Sequence, residues 1–373
     1  ADKIDRSDVP VYVVSYDSIY SSGYNFLSKL LDKKFDQVIF DEIHKAKNPK
    51  SRRTKLSILL ADNIDNRLLM SATPITNDLL DIWSQFRLLD KGKTFGTNFY
   101  VFRNRYFNSI INKYGKIKVI KYFPKYRTKL IISEAIKKNG IRFKKQDCLD
   151  LPPKSYETLY VKLQGEQNRI YHKLSHGLSL EEFNFNLSPS VLVKYEKLQQ
   201  VTSGFLYDRE NNKIIEFNNP KLDIVKTLLP AMTVDDNKTI IFCKYKYELE
   251  LYSKALKEYS PLVISGETPN KEKICHAFNT DPKHKVVVVQ ISCGIGISLT
   301  AASNVIYVSN TFSYADRYQS EDRAHRMGQT KKTSYYDIVA LATIDERVLQ
   351  ILNSKRSRIE TVVDRKEGCT SAL

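Results

Sequence analysis

Residues 40–48 read FDEIHKAKN, and they hold the first side chains able to do chemistry. An apolar run (Val38, Ile39, Phe40) ends in two adjacent carboxylates, Asp41 and Glu42, with His44 close behind. Phosphoryl transfer asks a protein to hold Mg²⁺, place the phosphates and position a water. Asp41 suits the metal and Glu42 suits the water, which it would orient or deprotonate. The same pair also suits an ordinary acidic helix start after a strand, so alone it leaves both readings open.

Three further stretches bear on that choice. SATPITN (71–77) puts small hydroxyl residues, with Thr73 among them, at the end of the next strand, where they can hydrogen-bond the acidic pair. In QSEDRAHRMGQ (319–329), Gln319, Arg323 and Arg326 fall at i, i+4 and i+7, so a helix would present all three on one face. Arginines so placed can neutralise charge on a transferring phosphoryl group, in the manner of an arginine finger supplied in cis. CGIGISLTAASNVIYV (293–308) sets Gly294 and Gly296 just after a buried run, where glycine lets backbone approach a ligand closely. GKT at 92–94 looks like the end of a phosphate-binding loop. However, Arg87 stands where that loop needs its first glycine, and a helix precedes it instead of a strand. KGKTFG reads as a turn.

These residues need elements to hold them. In the first ninety residues, VYVVSYDSI, FDQVIF and RLLMSATP read as strands, with NPKSRRTKLSILLA and DLLDIWSQFRLLD as helices between and after them. Such alternation predicts an open parallel sheet with helices on its faces. From 91 to 160 the chain turns aromatic and basic; between Lys113 and Lys145 twelve Lys or Arg face one acid, Glu134. This stretch is expected to form a basic helical protrusion that ends at a rigid DLPPK joint. Residues 162–210 read as helical and polar. From about 220 the alternation resumes, with strands KTIIFC, PLVIS, KVVVVQIS, NVIYVS and YYDIVAL and four helices, the last IDERVLQILNSKRSRIETVV.

Composition narrows the partners. Fifty-nine Lys+Arg against 42 Asp+Glu give a net charge of +17, which points to a polyanion such as nucleic acid. Five scattered cysteines without C-x-x-C spacing argue against a zinc site or a disulfide framework. No apolar run approaches the roughly 18 residues needed to span a bilayer. The first residue is Ala, which implies a processed chain or a fragment of a longer one.

Taken in order and spacing, DEIHKAKN, SATPITN, RLLDKGKTFG…FRNRYF, DLPPK, GIGISLT and QSEDRAHRMGQ resemble the Swi/Snf branch of helicase superfamily 2, the ATP-driven double-stranded DNA translocases. The resemblance runs from about residue 11 to 364. It implies that Asp41 and Glu42 are the Walker B acids, with Asp41 holding Mg²⁺, and that His44 is a coupling histidine. It further implies Ser71, Ala72 and Thr73 as motif III, and Gln319, Arg323 and Arg326 as the arginine-finger motif. Thr73, Gly294 and Gly296 are then candidate nucleotide contacts. Ser15, Tyr16, Lys47, Asn48, Gly266, Lys271 and Ser298 are candidate DNA contacts, and the C-terminal helix is a brace packing on the first lobe. The sequence departs from the family at Ser298 (usually Asn), at Cys293 (usually Gly) and in NTFSYADRYQ, which replaces a Trp-Asn-Pro run.

The resulting expectation is an α/β protein with two RecA-like parallel-sheet lobes, helical protrusions between them and an incomplete first lobe. The boundaries are 1–90 for the first lobe, 91–160 for the basic protrusion and linker, and 161–220 for the second protrusion. The second lobe covers 221–343, and the brace helix and tail cover 344–373. Cofactors would be ATP and Mg²⁺, and the partner double-stranded DNA. The family's phosphate-binding loop, which should precede residue 11, is absent, so the chain alone is expected to hydrolyse ATP poorly. A missing N-terminal segment or a separate chain would supply that loop. The lack of a large insertion between the lobes favours a phage or bacterial source and a cytoplasmic location, or a nuclear one if the source is eukaryotic. An RNA-unwinding relative and a non-enzymatic DNA-binding remnant are the competing readings.

Overall fold

The computed structural model describes residues 11–363 except 77, 115–116, 144, 179–190, 209–210 and 294–295. The chain divides into two compact units, one of residues 1–142 with 355–373 and one of residues 143–354.

The first unit contains α1 (Tyr16–Leu31), β1 (Gln37–Phe40), α2 (Arg52–Asp62), β2 (Asn66–Leu69), α3 (Ile82–Asp90), α4 (Phe99–Tyr106), β3 (Phe107–Tyr114), β4 (Ile117–Pro124) and α5 (Thr128–Asn139). Strands β1 and β2 pair in parallel, Gln37 opposite Asn66 and Phe40 opposite Leu69. Two further backbone bonds, Met70 N–H to Phe40 O and Ile43 N–H to Met70 O, carry the pairing past the ladder to the acidic turn. Phe40, Ile43, Leu56, Leu60 and Leu27 form one apolar core. Trp83, Phe86, Phe95, Phe102 and Phe107 form a second, aromatic one, with the Trp83 indole N–H on Gly96 O at 3.1 Å. Val362, in the last turn of the C-terminal helix, packs into this aromatic core.

Two expectations fail in this unit. Residues 11–15 lie outside any strand, although VYVV has strand character, since a strand needs a ladder and among the described residues none pairs with it. Ser15 instead caps α1, its Oγ accepting the Ser18 N–H at 3.0 Å. The basic protrusion is also not helical throughout. Residues 107–114 and 117–124 pair as antiparallel strands, β3 against β4, with Phe107 opposite Pro124 and Ile111 opposite Ile120. Isoleucine, valine and aromatic residues favour a pleated backbone, and the positive charge that marked this region carries no helical signal.

The second unit contains α6 (Lys145–Cys148), β5 (Lys154–Val161), α7 (Gly165–Ser175), α8 (Val191–Thr202), β6 (Phe205–Asp208), β7 (Lys213–Glu216), α9 (Pro220–Met232), β8 (Lys238–Cys243), α10 (Lys246–Ala255), β9 (Leu262–Ile264), α11 (Lys271–Thr280), β10 (Val286–Gln290), β11 (Ala302–Tyr307), α12 (Tyr314–Ala324), β12 (Thr333–Ala340) and the start of α13 (Ile344–Val363). A six-stranded sheet runs β5-β12-β11-β8-β10-β9, parallel at every pairing. KTIIFC is buried at every position and VVVVQ at all but its last, as parallel strands covered on both faces should be. The linker reading missed β5. Pro152 and Pro153 end the irregular stretch, and the strand starts at Lys154, pairing with β12 over eight residues. It also missed the β6–β7 hairpin within the stretch read as helical.

Gly204 begins that hairpin at φ +86°, and a Cβ there would lie 2.8 Å from the Asn219 Cβ. Asn219 cannot yield, because its side chain caps α9 at Leu222 N and donates to Ser203 O. Gly204→Ala is expected to cost about 1–3 kcal/mol, read as a lower urea midpoint.

Candidate functional site

The acidic turn follows directly from β1. Asp41 is exposed, and its Oδ1 accepts the Glu42 N–H at 2.9 Å. Glu42 takes up φ 49°, ψ 49°, a left-handed conformation uncommon for a residue with a side chain. That reversal starts a short 3₁₀ turn, Ile43–Ala46, whose Ile43 is anchored to Met70 at the end of β2. His44 then reaches back, its Nδ1 lying 3.0 Å from Glu42 Oε2 and 3.3 Å from Ser71 Oγ. Ser71 Oγ also accepts the Thr73 N–H at 3.1 Å. A chain of polar contacts therefore runs from Glu42 through His44 to SATP, linking the ends of two neighbouring strands. Thr73 is buried and its Oγ1 has no hydrogen-bond partner among the described residues.

The expected DNA contacts of this unit have structural duties as well. The Tyr16 hydroxyl donates to the Asp41 backbone carbonyl at 2.9 Å. Burial, followed by the charges of Asp41 and Glu42, pushes its pKa well above the ordinary tyrosine value, so it stays a donor. Lys47 donates from Nζ to Thr76 Oγ1 and lies 3.5 Å from Asp81 Oδ2, while its carbonyl accepts from Ser84 Oγ. Asn48 is exposed, and its Oδ1 accepts the Lys50 N–H at 3.0 Å.

In the second unit the expected three-residue face is cut to two. Helix α12 stops at Ala324 with His325 as its C-cap at ψ 78°, so Arg326 leaves the helix and is exposed. Side-chain bonds hold this exit. His325 Nε2 lies 2.8 Å from Pro152 O, and Gln329 Nε2 donates to Ala302 O and Ala324 O. Arg323 stays on the helix, with Nε on Gln319 O at 3.0 Å and Nη1 on Ile297 O at 3.2 Å, and Gln319 is buried beside it. The guanidinium thus pins the loop after β10 to α12, helped by the Leu299 N–H on Arg323 O.

Gly294 lies outside the described residues. Gly296 has φ +80°, and a Cβ added there would meet nothing within 4 Å, so the sign of φ explains this glycine better than any close approach. Ser298 is half-buried and its carbonyl accepts from Asn279 Nδ2 at 2.9 Å. Gly266 occupies an exposed turn, its N–H 3.4 Å from Gln290 Oε1, and Lys271 opens α11.

Sequence reasoning missed Arg317, a heavily bonded side chain beneath α12. Its Nη1 and Nη2 meet Asp337 Oδ1 and Oδ2 at 2.5 and 3.0 Å, its Nε meets Glu321 Oε1 at 3.0 Å, and Nη1 also reaches Asn310 Oδ1 at 2.8 Å. Its carbon Cζ stands 3.5 Å from the centroid of the Tyr307 ring. Asp337 sits on β12, twenty residues away, so no local spacing signals the pair.

The SNF2-related domain family matches residues 2–219, more than half of the chain. The chain belongs to the SNF2-related family. The helicase conserved C-terminal domain matches residues 220–328. The TATA-binding protein-associated factor mot1 of Aspergillus fumigatus is 27% identical over 96% of this chain and 21% of its own length. An uncharacterized ATP-dependent helicase, MG018, of Mycoplasma genitalium is 29% identical over 88% of this chain and 31% of its own. A SWI/SNF-related matrix-associated actin-dependent regulator of chromatin homologue of Caenorhabditis elegans is 27% identical, over 92% and 48%. The chain thus spans less than half the length of each of these relatives. Among the described residues no helix is long and apolar enough to cross a membrane.

Proposed function

We propose that this SNF2-related chain is the motor core of an ATP-dependent double-stranded DNA translocase, with ATP and Mg²⁺ as cofactors. The observation that carries the reading is that one His44 nitrogen lies against both Glu42 and Ser71, which sets a water-activating carboxylate beside the end of the neighbouring strand. A change in the charge around Glu42 then has a direct path into SATP. The exposed Asp41 carboxylate fits a hard, largely hydrated cation, since Mg²⁺ takes one or two carboxylates and keeps several waters. When bound, the metal would neutralise charge on the phosphates. Glu42 would orient the water, with His44 beside its carboxylate.

On the nucleic acid side, contacts from Lys47, Asn48, Lys271 and the backbone of Gly266 and Ser298 would be to phosphate and independent of sequence, as a motor that steps along any duplex requires. Binding measured by fluorescence anisotropy should favour duplex DNA over duplex RNA of equal length and weaken steeply with salt. Lys47→Ala should lower the slope of log affinity against log salt by about 1. Tighter binding to RNA would favour an RNA-unwinding enzyme, and a chain that binds neither would end the motor reading.

A further inference from the structure

The β3–β4 hairpin is anchored at one end and exposed along its arms. Phe107 is buried in the aromatic core, the Lys125 N–H and the Thr128 hydroxyl both bond Tyr106 O, and Lys125 Nζ donates to Asn104 O. Arg103 lies over the rings of Tyr122 and Tyr100, at 4.6 and 5.2 Å, which stiffens the same base. Beyond it, Ile110 (52%), Ile111 (55%) and Ile120 (48%) are exposed, and Phe123 (45%) is exposed at the base itself. In the register, Ile111 faces Ile120 while Ile110 faces Lys121, so apolar side chains project from both faces of the ribbon. A ribbon that exposes apolar side chains on both faces is built to enter something.

Charge identifies what it enters. From Lys91 to Ser133 the sequence has eleven Lys or Arg and no Asp or Glu, with Lys113, Lys118 and Lys121 on the ribbon's two strands. Protein interfaces are depleted in lysine at their cores, whereas a phosphate-lined groove needs such cations. Eight-residue strands give a ribbon about 26 Å long, and the B-DNA major groove, about 12 Å wide, admits a two-stranded ribbon. We propose that the β3–β4 hairpin inserts into the major groove of duplex DNA, with the exposed Lys121 on a flanking phosphate and Ile110, Ile111 and Ile120 against sugar and base edges. The inference rests on the motor reading and adds to it a groove-gripping element separate from the helicase motifs.

The test uses the full chain, a labelled 20–30 bp duplex and a KCl series. Lys121→Ala should lower the salt slope by about 1. Ile110→Ser/Ile111→Ser should weaken binding about tenfold with the slope unchanged, as expected for lost apolar contact. Melting curves matching the unsubstituted chain should show that both variants fold. Saturating the duplex with a major-groove dye should remove the difference between the variants and the parent, and a minor-groove ligand should leave it. If the parent binds duplex DNA and both variants bind it equally well, the inference is overturned and the motor reading stands. If the parent does not bind duplex DNA, both fall together.

Discussion

Replacing Arg317 with methionine is expected to destabilise the second unit by about 3–5 kcal/mol, the cost of leaving a buried charge without its partner. Burial alone would lower the pKa of this guanidinium, yet Asp337, Tyr307 and Glu321 together hold it well above the ordinary arginine value. Removal leaves the Asp337 side chain buried, with Asn310 Nδ2, at 2.7 Å, as its remaining side-chain partner among the described residues. Glu321 suffers less, because it keeps the Tyr156 hydroxyl at 2.8 Å and Lys154 at 3.8 Å. The urea midpoint should fall sharply. Adding Asp337→Leu to the variant should recover much of the loss, since an apolar pair of similar volume is often as stable as a buried ion pair. A midpoint within error of the parent would show that the network contributes nothing to stability.

The second large effect concerns turnover. The 373-residue polypeptide is expected to hydrolyse ATP far more slowly than ~1 s⁻¹, even with saturating duplex DNA. Its sequence has no G-x-x-x-x-G-K-[ST] run to supply backbone N–H groups and a lysine to the β- and γ-phosphates. Losing that sort of electrostatic stabilisation typically costs orders of magnitude in rate. GKT at 92–94 offers no substitute. The Asp90 carboxylate already accepts the Gly92 and Thr94 N–H groups, each at 2.9 Å, so an anion of the protein's own occupies that turn. A DNA-stimulated turnover of ~1 s⁻¹ or more, measured by phosphate release, would sink this expectation. It would also show that hydrolysis does not need that phosphate cradle.

Most of the parallel α/β architecture was legible because buried parallel strands announce themselves as unbroken apolar runs. KTIIFC and VVVVQ show this, and amphipathic helices flank them. The same rule explains the misses. Strand β5 is an edge strand with exposed Tyr156 and Tyr160, so its pattern is mixed and the preceding prolines made it look like a joint. The hairpin was hidden under its lysines, since charge draws attention to partners and says little about backbone geometry.

The family and its motif order were readable from sequence alone, as was the choice of Asp41, Glu42, His44 and the RAHR arginines as candidates. Each motif is local, and residue type with spacing is enough to name it. Tertiary structure decided what those residues touch. It turned Glu42 back through a left-handed backbone onto His44 and bound Lys47 to Thr76. It placed Arg326 beyond the end of its helix and set Arg317 of α12 against Asp337 of strand β12. Such contacts join residues far apart in sequence, and they depend on where a helix stops and which strands are neighbours, which no window of neighbouring residues encodes.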